Sequence, residues 1–437
     1  MNVVWKGRGR LAAVVTLLTA VLDPGSAAAE VVTLAELEGL ALDNKARFEA
    51  SEALMNRSDA EVDAARALKK PTFWMNVTGV VAPGSNIEKV STVDNRVVNV
   101  RASPTVSERS AFRPNVRYEG TIDMRAPLYD GQTRASLRAA EAYYAAASAS
   151  SDASRETVLA MVRAAYLDWL ASDLDLEFAR TAAHEASVQR EHTAARVADG
   201  ERPPSELDTA HYQELQAELS ASDAAARLQS ARSLLESAVG AQLPPDAEPD
   251  RELLSMTIDE LRAQESSEVE AIERERDAAR EEANVHRKGR VPVLAVVGRT
   301  GLAGVNEDVF PMYQLGISLE VPLWDGGRAI ALAHAADARA LELDVRARDA
   351  RQEGRDERER ALFEHETTEQ QLTLVERLVA ISEKRVDQAQ TSYDLGASDL
   401  EAVADARAAL REAQSRRVQI QVSRADAILS LDGSAAR

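Results

Sequence analysis

The chain contains no cysteine, so no site that depends on sulfur can be present. It can form no disulfide framework, and it offers no thiolate as a nucleophile or metal ligand. Aromatic residues make up only 4% of its 437 residues, whereas charged residues make up 28%. Such a composition favours long helices with narrow apolar seams over one thick hydrophobic core.

Sequence signatures of catalysis and of phosphate binding are also missing. The six histidines are scattered. Neither the pair His184 and His192 nor His365, which lies between two glutamates, has a metal-ligand spacing such as H-E-x-x-H. No G-x-x-x-x-G-K-[ST] phosphate loop occurs either. We therefore expect no enzyme activity, no cofactor and no metal, and the formal net charge of −20 disfavours nucleic acid as a partner.

The first residues have the pattern of a secretory signal peptide. A basic start precedes a short apolar run, residues 11–22, and Ala27-Ala28-Ala29 forms a cleavage pattern of small residues. We predict a signal peptide over residues 1–29. An uncleaved anchor helix is the alternative, and Asp23-Pro24-Gly25 argues against it. Beyond this segment no run of about 18 apolar residues occurs, so the sequence predicts no transmembrane helix.

The rest of the chain consists of two similar halves. Residues 30–240 form a first repeat, residues 241–256 a linker, and residues 257–437 a second repeat. The repeats share, in order, an acidic opening (Thr33 to Leu37 and Thr257 to Leu261), a basic cluster ending in proline, a P-L-aromatic-D-G sequence, and two later glycines. The first copy carries extra residues around 84–114, which we interpret as a long loop.

Each repeat contains one segment in which apolar and polar residues alternate strongly, which is typical of a strand, and one less regular partner segment before it. The predicted strands are residues 117–126 and 312–321, with 72–81 and 293–300 as their partners. Two soluble hairpins with one buried face are one interpretation. The other is a membrane barrel, whose strands need about 9–11 residues. The following side chains at the strand ends suit a membrane–water interface: Trp74, Tyr118, Tyr129, Tyr313, Trp324, Lys69, Lys70, Arg287, Lys288 and Arg290.

Four strands cannot close a barrel alone, because the smallest membrane barrels use about eight. An open strand edge in lipid would leave backbone groups unsatisfied. If the strands enter the membrane, several subunits must therefore build the barrel.

Long helices are predicted after each strand pair. Residues 132–199 and 328–395 lack proline, and at 1.5 Å per residue each could reach about 100 Å. Return helices complete two hairpins, 132–239 and 328–432. At the junctions a proline is expected to end the strand, an aspartate to cap the helix, and a glycine to allow the change of direction. These residues are Pro127, Asp130 and Gly131 in the first copy and Pro322, Asp325 and Gly326 in the second.

With these doubled junctions and the Tyr393-x-x-Gly396 turn, the sequence resembles the TolC family of outer-membrane efflux proteins over nearly its whole mature length. The resemblance implies a mostly α-helical fold with a small β-barrel part. It implies a homotrimer with a 12-stranded barrel in the outer membrane of a Gram-negative bacterium and a helical tunnel through the periplasm. It also implies docking of the helical tips to a periplasmic adaptor and an inner-membrane transporter.

The resemblance further implies acidic residues that ring the pore near the tip. One such position falls on Asp405 and another on Ala402, a departure for which Glu401 and Asp399 are candidate replacements. A basic latch residue of the family falls on Ser398. A solvated helix face is the alternative for Asp405, and plain turns are the alternative for the adaptor-docking tips. The candidate tip residues are Asp199, Gly200, Glu201, Leu395, Gly396, Ala397 and Ser398.

Three functions are thus compared. The first is a passive exit duct of an efflux or type I secretion system. The second is a soluble periplasmic coiled-coil adaptor or scaffold, which would need no strands with a lipid-facing side. The third is a secreted enzyme, which the missing catalytic motifs disfavour. The doubled alternating strands with aromatic ends favour the first.

Overall fold

The computed structural model describes residues 30–83, 90–93, 96–99, 114–256, 266–305 and 308–432. The predicted signal peptide and the predicted acidic opening of the second repeat, Thr257 to Leu261, lie outside these residues. The helices are α1 Leu34–Asp43, α2 Lys45–Ala67, α3 Gly131–Ala198, α4 Pro204–Val239, α5 Ser267–Lys288, α6 Arg328–Asp394 and α7 Leu400–Asp432. The strands are β1 Glu30–Val32, β2 Thr72–Pro83, β3 Val90–Val93, β4 Arg96–Asn99, β5 Pro114–Tyr129, β6 Ala247–Pro249, β7 Val293–Val305 and β8 Asp308–Glu320.

Four strands form one antiparallel sheet in the order β2-β5-β7-β8. All four predicted strands are present, but three of them are several residues longer than the alternation indicated. The prediction that Pro127 ends its strand is wrong, because β5 continues to Tyr129. The register of β5 against β7 shifts between Pro127 and Tyr129, and this irregularity accommodates a residue that cannot donate to the ladder. In the second copy β8 ends at Glu320, before Pro322.

The helices continue the order of the strands. Next to the sheet, α2 packs on α3, α3 on α5, and α5 on α6. Farther from it, α4 packs on α3, α3 on α7, and α7 on α6. The long helices α3 and α6 contain 68 and 67 residues, which corresponds to about 100 Å. Alanines at the contacts allow the helices to approach closely; the buried ones on α6 include Ala333, Ala336, Ala340 and Ala347.

The thickest core lies midway along α3. Tyr166 and Trp169 meet edge to face with ring centroids 5.8 Å apart, and both are buried. The Tyr166 hydroxyl lies 3.1 Å from the Val32 carbonyl oxygen and accepts the Asp250 amide at 2.8 Å. These bonds tie α3 to both members of a small parallel pair, β1 and β6. Residues 241–256, predicted only as a linker, therefore contribute β6 and a 3₁₀ turn, Glu252–Ser255, to the core.

The insertion around residues 84–114 is the predicted long loop. Its described part contains the antiparallel hairpin β3–β4. This hairpin lies in the connection between β2 and β5, at the end of the sheet away from the helices.

The two strand-to-helix junctions differ. Asp130 caps α3 by accepting the amides of residues 132 and 133 at 2.9 and 3.1 Å, and Asp325 accepts those of residues 327 and 329 at 2.9 and 2.8 Å. These backbone bonds lower the pKa of Asp325. The expected role of Gly131 is wrong, because it is the first residue of α3 and does not use a left-handed backbone. Gly326 and Gly327 do, with φ of 69° and 86°.

Candidate functional site at the tips of the helical hairpins

The first tip is the turn between α3 and α4. Asp199 caps the C-terminus of α3, and Gly200 follows with φ of 76°, which costs glycine little. Pro204 then begins α4, where the missing amide hydrogen would have no helical partner. The double proline at residues 203–204 thus fits the start of a helix.

The second tip is the turn between α6 and α7. Gly396 has φ of 74°, and the amide of Ala397 bonds back to the Ser392 carbonyl at 2.8 Å. Asp399 accepts the Ala402 amide at 3.1 Å, so its side chain caps α7. Leu395 at the apex leaves 80% of its surface exposed.

A group of side chains joins the two tips, and we call it the tip clamp: Arg196, Arg202, Glu206 and Tyr393. Both guanidinium groups lie over the Tyr393 ring, with their carbons 5.2 Å (Arg196) and 4.2 Å (Arg202) from its centroid. Its hydroxyl donates to the Glu206 carboxylate at 3.0 Å. Arg202 also donates to the carbonyls of Tyr393 and Ser398, the latter at 3.3 Å.

Charge and burial reinforce the tip clamp. Arg196 pairs with Glu201 at 3.1 Å on its own tip and with Asp394 at 3.4 Å on the other. Each cation over a ring is worth about 0.5–2 kcal/mol, depending on how far it is desolvated. Burial raises the pKa of Tyr393, so its hydroxyl keeps its proton and donates to Glu206.

Two of the predicted pore carboxylates lie on one face of α7. Glu401 and Asp405 are exposed and four residues apart, so their side chains point the same way. The opposite face is buried and contains Leu400, Val403 and Ala406. Glu401 therefore lies on the same face of α7 as Asp405, whereas the side chain of Asp399 caps the helix.

A half-buried cation lies above the tip clamp. Arg407 of α7 donates to Gln189 of α3 at 3.4 Å and to Gln390 of α6 at 3.3 Å. Burial lowers the pKa of this guanidinium, although arginine remains protonated in proteins. Arg407 thus connects three helices through neutral amide partners.

Sequence reasoning identified the tip residues but missed most of the tip clamp. It singled out Tyr393 and Gly396 as a turn, but not Arg196, Arg202 or Glu206. It did not pair them, because the two tips are about 195 residues apart in the chain. The sequence contained one usable signal. Arginines lie on both sides of Gly200 at the first tip, at positions 196 and 202, whereas the residue two positions after Gly396 at the second tip is Ser398.

The sheet has two contrasting faces. On one, successive rows across the strands carry apolar or small residues, such as Phe73, Met124, Gly298 and Leu315 in one row. On the other, Asp123 accepts from Asn76 at 2.8 Å, Thr121 at 3.1 Å and Arg299 at 2.6 Å. The apolar face is exposed, with Tyr313 at 87% and Leu315 at 79%.

Within the described part of the chain, no helix is long and apolar enough to cross a membrane. The same residues hold no group of three or more acidic, histidine or cysteine side chains suited to bind a metal ion.

Outer-membrane proteins of known structure share this architecture. The chain aligns with VceC of Vibrio cholerae at 18% identity and a TM-score of 0.73, covering 92% of this chain and 95% of that one. It aligns with CmeC of Campylobacter jejuni at 15% identity and a TM-score of 0.72, covering 92% and 85%. It aligns with the open state of MtrE of Neisseria gonorrhoeae at 18% identity and a TM-score of 0.72, covering 92% of this chain and 88% of that one. At these identities the likeness establishes the fold.

No curated protein sequence matches this chain. The family model described as outer membrane efflux protein matches residues 37–241 and 258–437, which are most of both repeats. This match confirms the resemblance seen in the sequence and gives no support to the adaptor or scaffold alternative. The chain therefore belongs to the outer membrane efflux protein family and has the fold of the outer-membrane channels CmeC and MtrE.

Proposed function

We propose that three copies of the chain assemble into one channel, with twelve strands forming a barrel in the outer membrane. The observation that carries this proposal is the four-stranded sheet with an exposed apolar face and two unpaired edges, β2 and β8. In lipid, each unpaired backbone group costs several kcal/mol, so the edges need partners. Pairing β8 of one copy with β2 of the next satisfies both.

The helices support the same closure. In each copy α4 and α2 lie at one side of the helical row, and α6 lies at the other. Large apolar side chains are exposed on these outer helices, and joining the rows would cover them; they include Leu54, Tyr212, Leu215, Leu219, Leu341, Phe363, Leu374 and Ile381.

The assembled channel is a passive conduit of an efflux or type I secretion system, without catalytic activity or cofactor. Cargo enters at the tips, where a periplasmic adaptor and an inner-membrane transporter dock. The exposed Leu395 at the apex and the tip residues around Gly200 and Gly396 provide the docking surface.

The tip also sets the selectivity and the resting state. Three copies of Glu401 and Asp405 would place six carboxylates around the pore, which favours cations over anions. The tip clamp would hold the two hairpins of each copy together in the closed state. Arg202 of the first tip then supplies the positive charge that the second tip does not have at position 398, where the residue is a serine.

The first experiment measures the mass of the detergent-solubilised mature protein and its conductance in a planar bilayer. A mass of three chains with cation-selective conductance is expected. Glu401→Gln combined with Asp405→Asn should reduce cation selectivity several-fold. Asp208→Asn, an exposed carboxylate near the other tip, is the matched control. A water-soluble monomer without conductance contradicts the channel, whereas unchanged selectivity contradicts only the pore role of the carboxylates.

A further inference from the structure

All four connections between the sheet and the long helices lie at one end of the sheet. The strands β2 and β7 follow α2 and α5, and β5 and β8 precede α3 and α6, through short connections of at most seven residues. Their residues are paired at this end, with Tyr129 opposite Leu294 and Val293 opposite Glu320. Side chains at the four connections therefore form one belt around the molecule.

This belt is rich in cations that form no ion pair. Among the described residues, none of the following exposed side chains has a carboxylate within ion-pair distance: Lys69, Lys70, Arg134, Lys288, Arg290 and Arg328. We call these six residues the basic belt. Arg290 acts on Asp325 only at longer range, where its charge helps to lower the pKa of that carboxyl. Arg134 lies instead over the Tyr129 ring, 5.3 Å from its centroid.

Exposed apolar side chains adjoin the basic belt on the sheet side. Along β8 the odd-numbered residues from Tyr313 to Leu319 are apolar and exposed, and Val321 and Leu323 continue this series beyond the strand. Leu323 and Trp324 are 89% and 88% exposed, so almost nothing of the chain covers them. The equivalent Leu128 and Tyr129 are only about half exposed, at 55% and 45%. The second junction thus projects an apolar pair next to cations.

We propose that the basic belt binds anionic phospholipid headgroups of the leaflet that faces the periplasm, while Leu323 and Trp324 insert among the acyl chains above them. Charge complementarity favours this occupant, because phosphate diesters pair with arginine and lysine and the surrounding protein is acidic. An indole with one apolar and one polar side suits the boundary between headgroups and hydrocarbon. The inference rests on the proposed membrane-inserted channel and adds a lipid preference to it.

The decisive measurement compares how tightly the trimer retains phosphatidylglycerol and phosphatidylcholine, by native mass spectrometry from mixed-lipid nanodiscs. Lys70→Gln, Arg290→Gln and Arg328→Gln combined should weaken phosphatidylglycerol retention about tenfold or more, because each cation near a membrane surface contributes independently. The matched control is Arg377→Gln, Lys384→Gln and Arg385→Gln on α6, which removes one lysine and two arginines that are equally exposed and equally unpaired. Inorganic phosphate at the same concentration should not displace the lipid.

Equal losses in the two triple variants, or no loss in either, would overturn the proposal. Displacement by inorganic phosphate would show that the site recognises free phosphate rather than a lipid. If the protein forms no trimer and no conducting pore, the proposed function fails instead. A conducting trimer that retains both lipids equally contradicts only the lipid preference.

Tryptophan quenching tests the apolar part of the proposal. Lipids brominated near the carbonyl end of their chains should quench wild-type fluorescence, and Trp324→Phe should remove most of that quenching. Trp74→Phe is the control, because Trp74 lies near the same end of the sheet on its polar face, in the row of Asp123 and Arg299. Unchanged quenching in Trp324→Phe would mean that another copy of the chain covers Trp324, and would refute the insertion.

Discussion

The helices α3 and α6 are equivalent in the two repeats and nearly equal in length, yet they lie in different surroundings. Midway along its length α3 buries Tyr166, Trp169 and Leu170. Over its corresponding stretch α6 buries mainly alanines, valines and small polar residues, and it exposes Phe363 and Leu374, at 72% and 64%. The cause is position, since α3 is packed on several sides and α6 forms one side of the row.

The strands do not share this difference. Each repeat has one inner strand, β5 or β7, and one edge strand, β2 or β8. The two repeats therefore differ in their long helices, because α3 is central and α6 leaves apolar side chains exposed for another molecule. The comparison indicates that α6 carries more of the assembly surface than α3, and the first of the four experiments below tests it.

The largest effect is expected at the centre of α3. Trp169→Ala should lower the free energy of unfolding by about 3–5 kcal/mol, because it leaves a cavity among side chains that cannot close it. Denaturant unfolding of the mature protein in detergent measures this change. Phe363→Ala on α6 is the counterpart, and it should leave the unfolding of separated subunits within about 0.5 kcal/mol while lowering the fraction of trimer. A large loss of subunit stability in Phe363→Ala would contradict the central and outer roles.

The next largest effect is expected from a substitution in the tip clamp. Arg202→Ala removes hydrogen bonds to both tips and a cation over Tyr393, about 2–3 kcal/mol in total. Single-channel recording should show an increase of tens-fold in the open probability. Arg202→Lys should restore part of the closure, because lysine keeps the charge without the planar fork. Arg411→Ala, an exposed arginine of α7, should leave gating unchanged; an equal effect there would show that general charge, rather than the clamp, holds the tip.

A smaller effect concerns the ion pair between α3 and α4 and its contribution to stability in acid. The Arg190 guanidinium bonds to Glu214 at 2.7 Å and lowers the pKa of that carboxyl from its ordinary 4.5. The stabilisation is therefore complete above pH 4.5 and is lost as the pH falls through the lower folded pKa. Tm measured from pH 7 to pH 3 should fall less steeply in Glu214→Gln. Glu191→Gln, at the more exposed carboxylate beside Arg190, should retain the wild-type slope.

The smallest effects compare the two junction glycines. Gly131→Ala should stabilise the protein by about 0.5–1 kcal/mol, because position 131 is helical and an added Cβ would meet Val291 at an ordinary 3.5 Å. Gly326→Ala should cost about 1 kcal/mol, since its φ of 69° disfavours a side chain. Thermal unfolding of both variants measures the sign of each change in stability. A change of the same sign in both would mean that the two junctions are equivalent.

Much of the fold was predictable because the relevant signals are local. Alternating residues identified β5 and β8, their less regular partners were predicted as β2 and β7, and the absence of proline identified α3 and α6. Local reasoning failed at Pro127, which a strand irregularity accommodates within β5, and at Gly131, which is the first residue of α3. It also missed the small pair β1–β6, because strands of three residues carry too little pattern. At the tips it located the turns but not the tip clamp.

The sequence by itself determined the repeat, the helix and strand types, the caps and the family, because propensity, periodicity and turn chemistry act over a few neighbouring residues. Only the tertiary structure decided which long helix is central, which arginines contact Tyr393, and which side of α7 presents Glu401 with Asp405. Those outcomes depend on contacts between residues far apart in the chain, and two equivalent repeats differ only in what packs beside them.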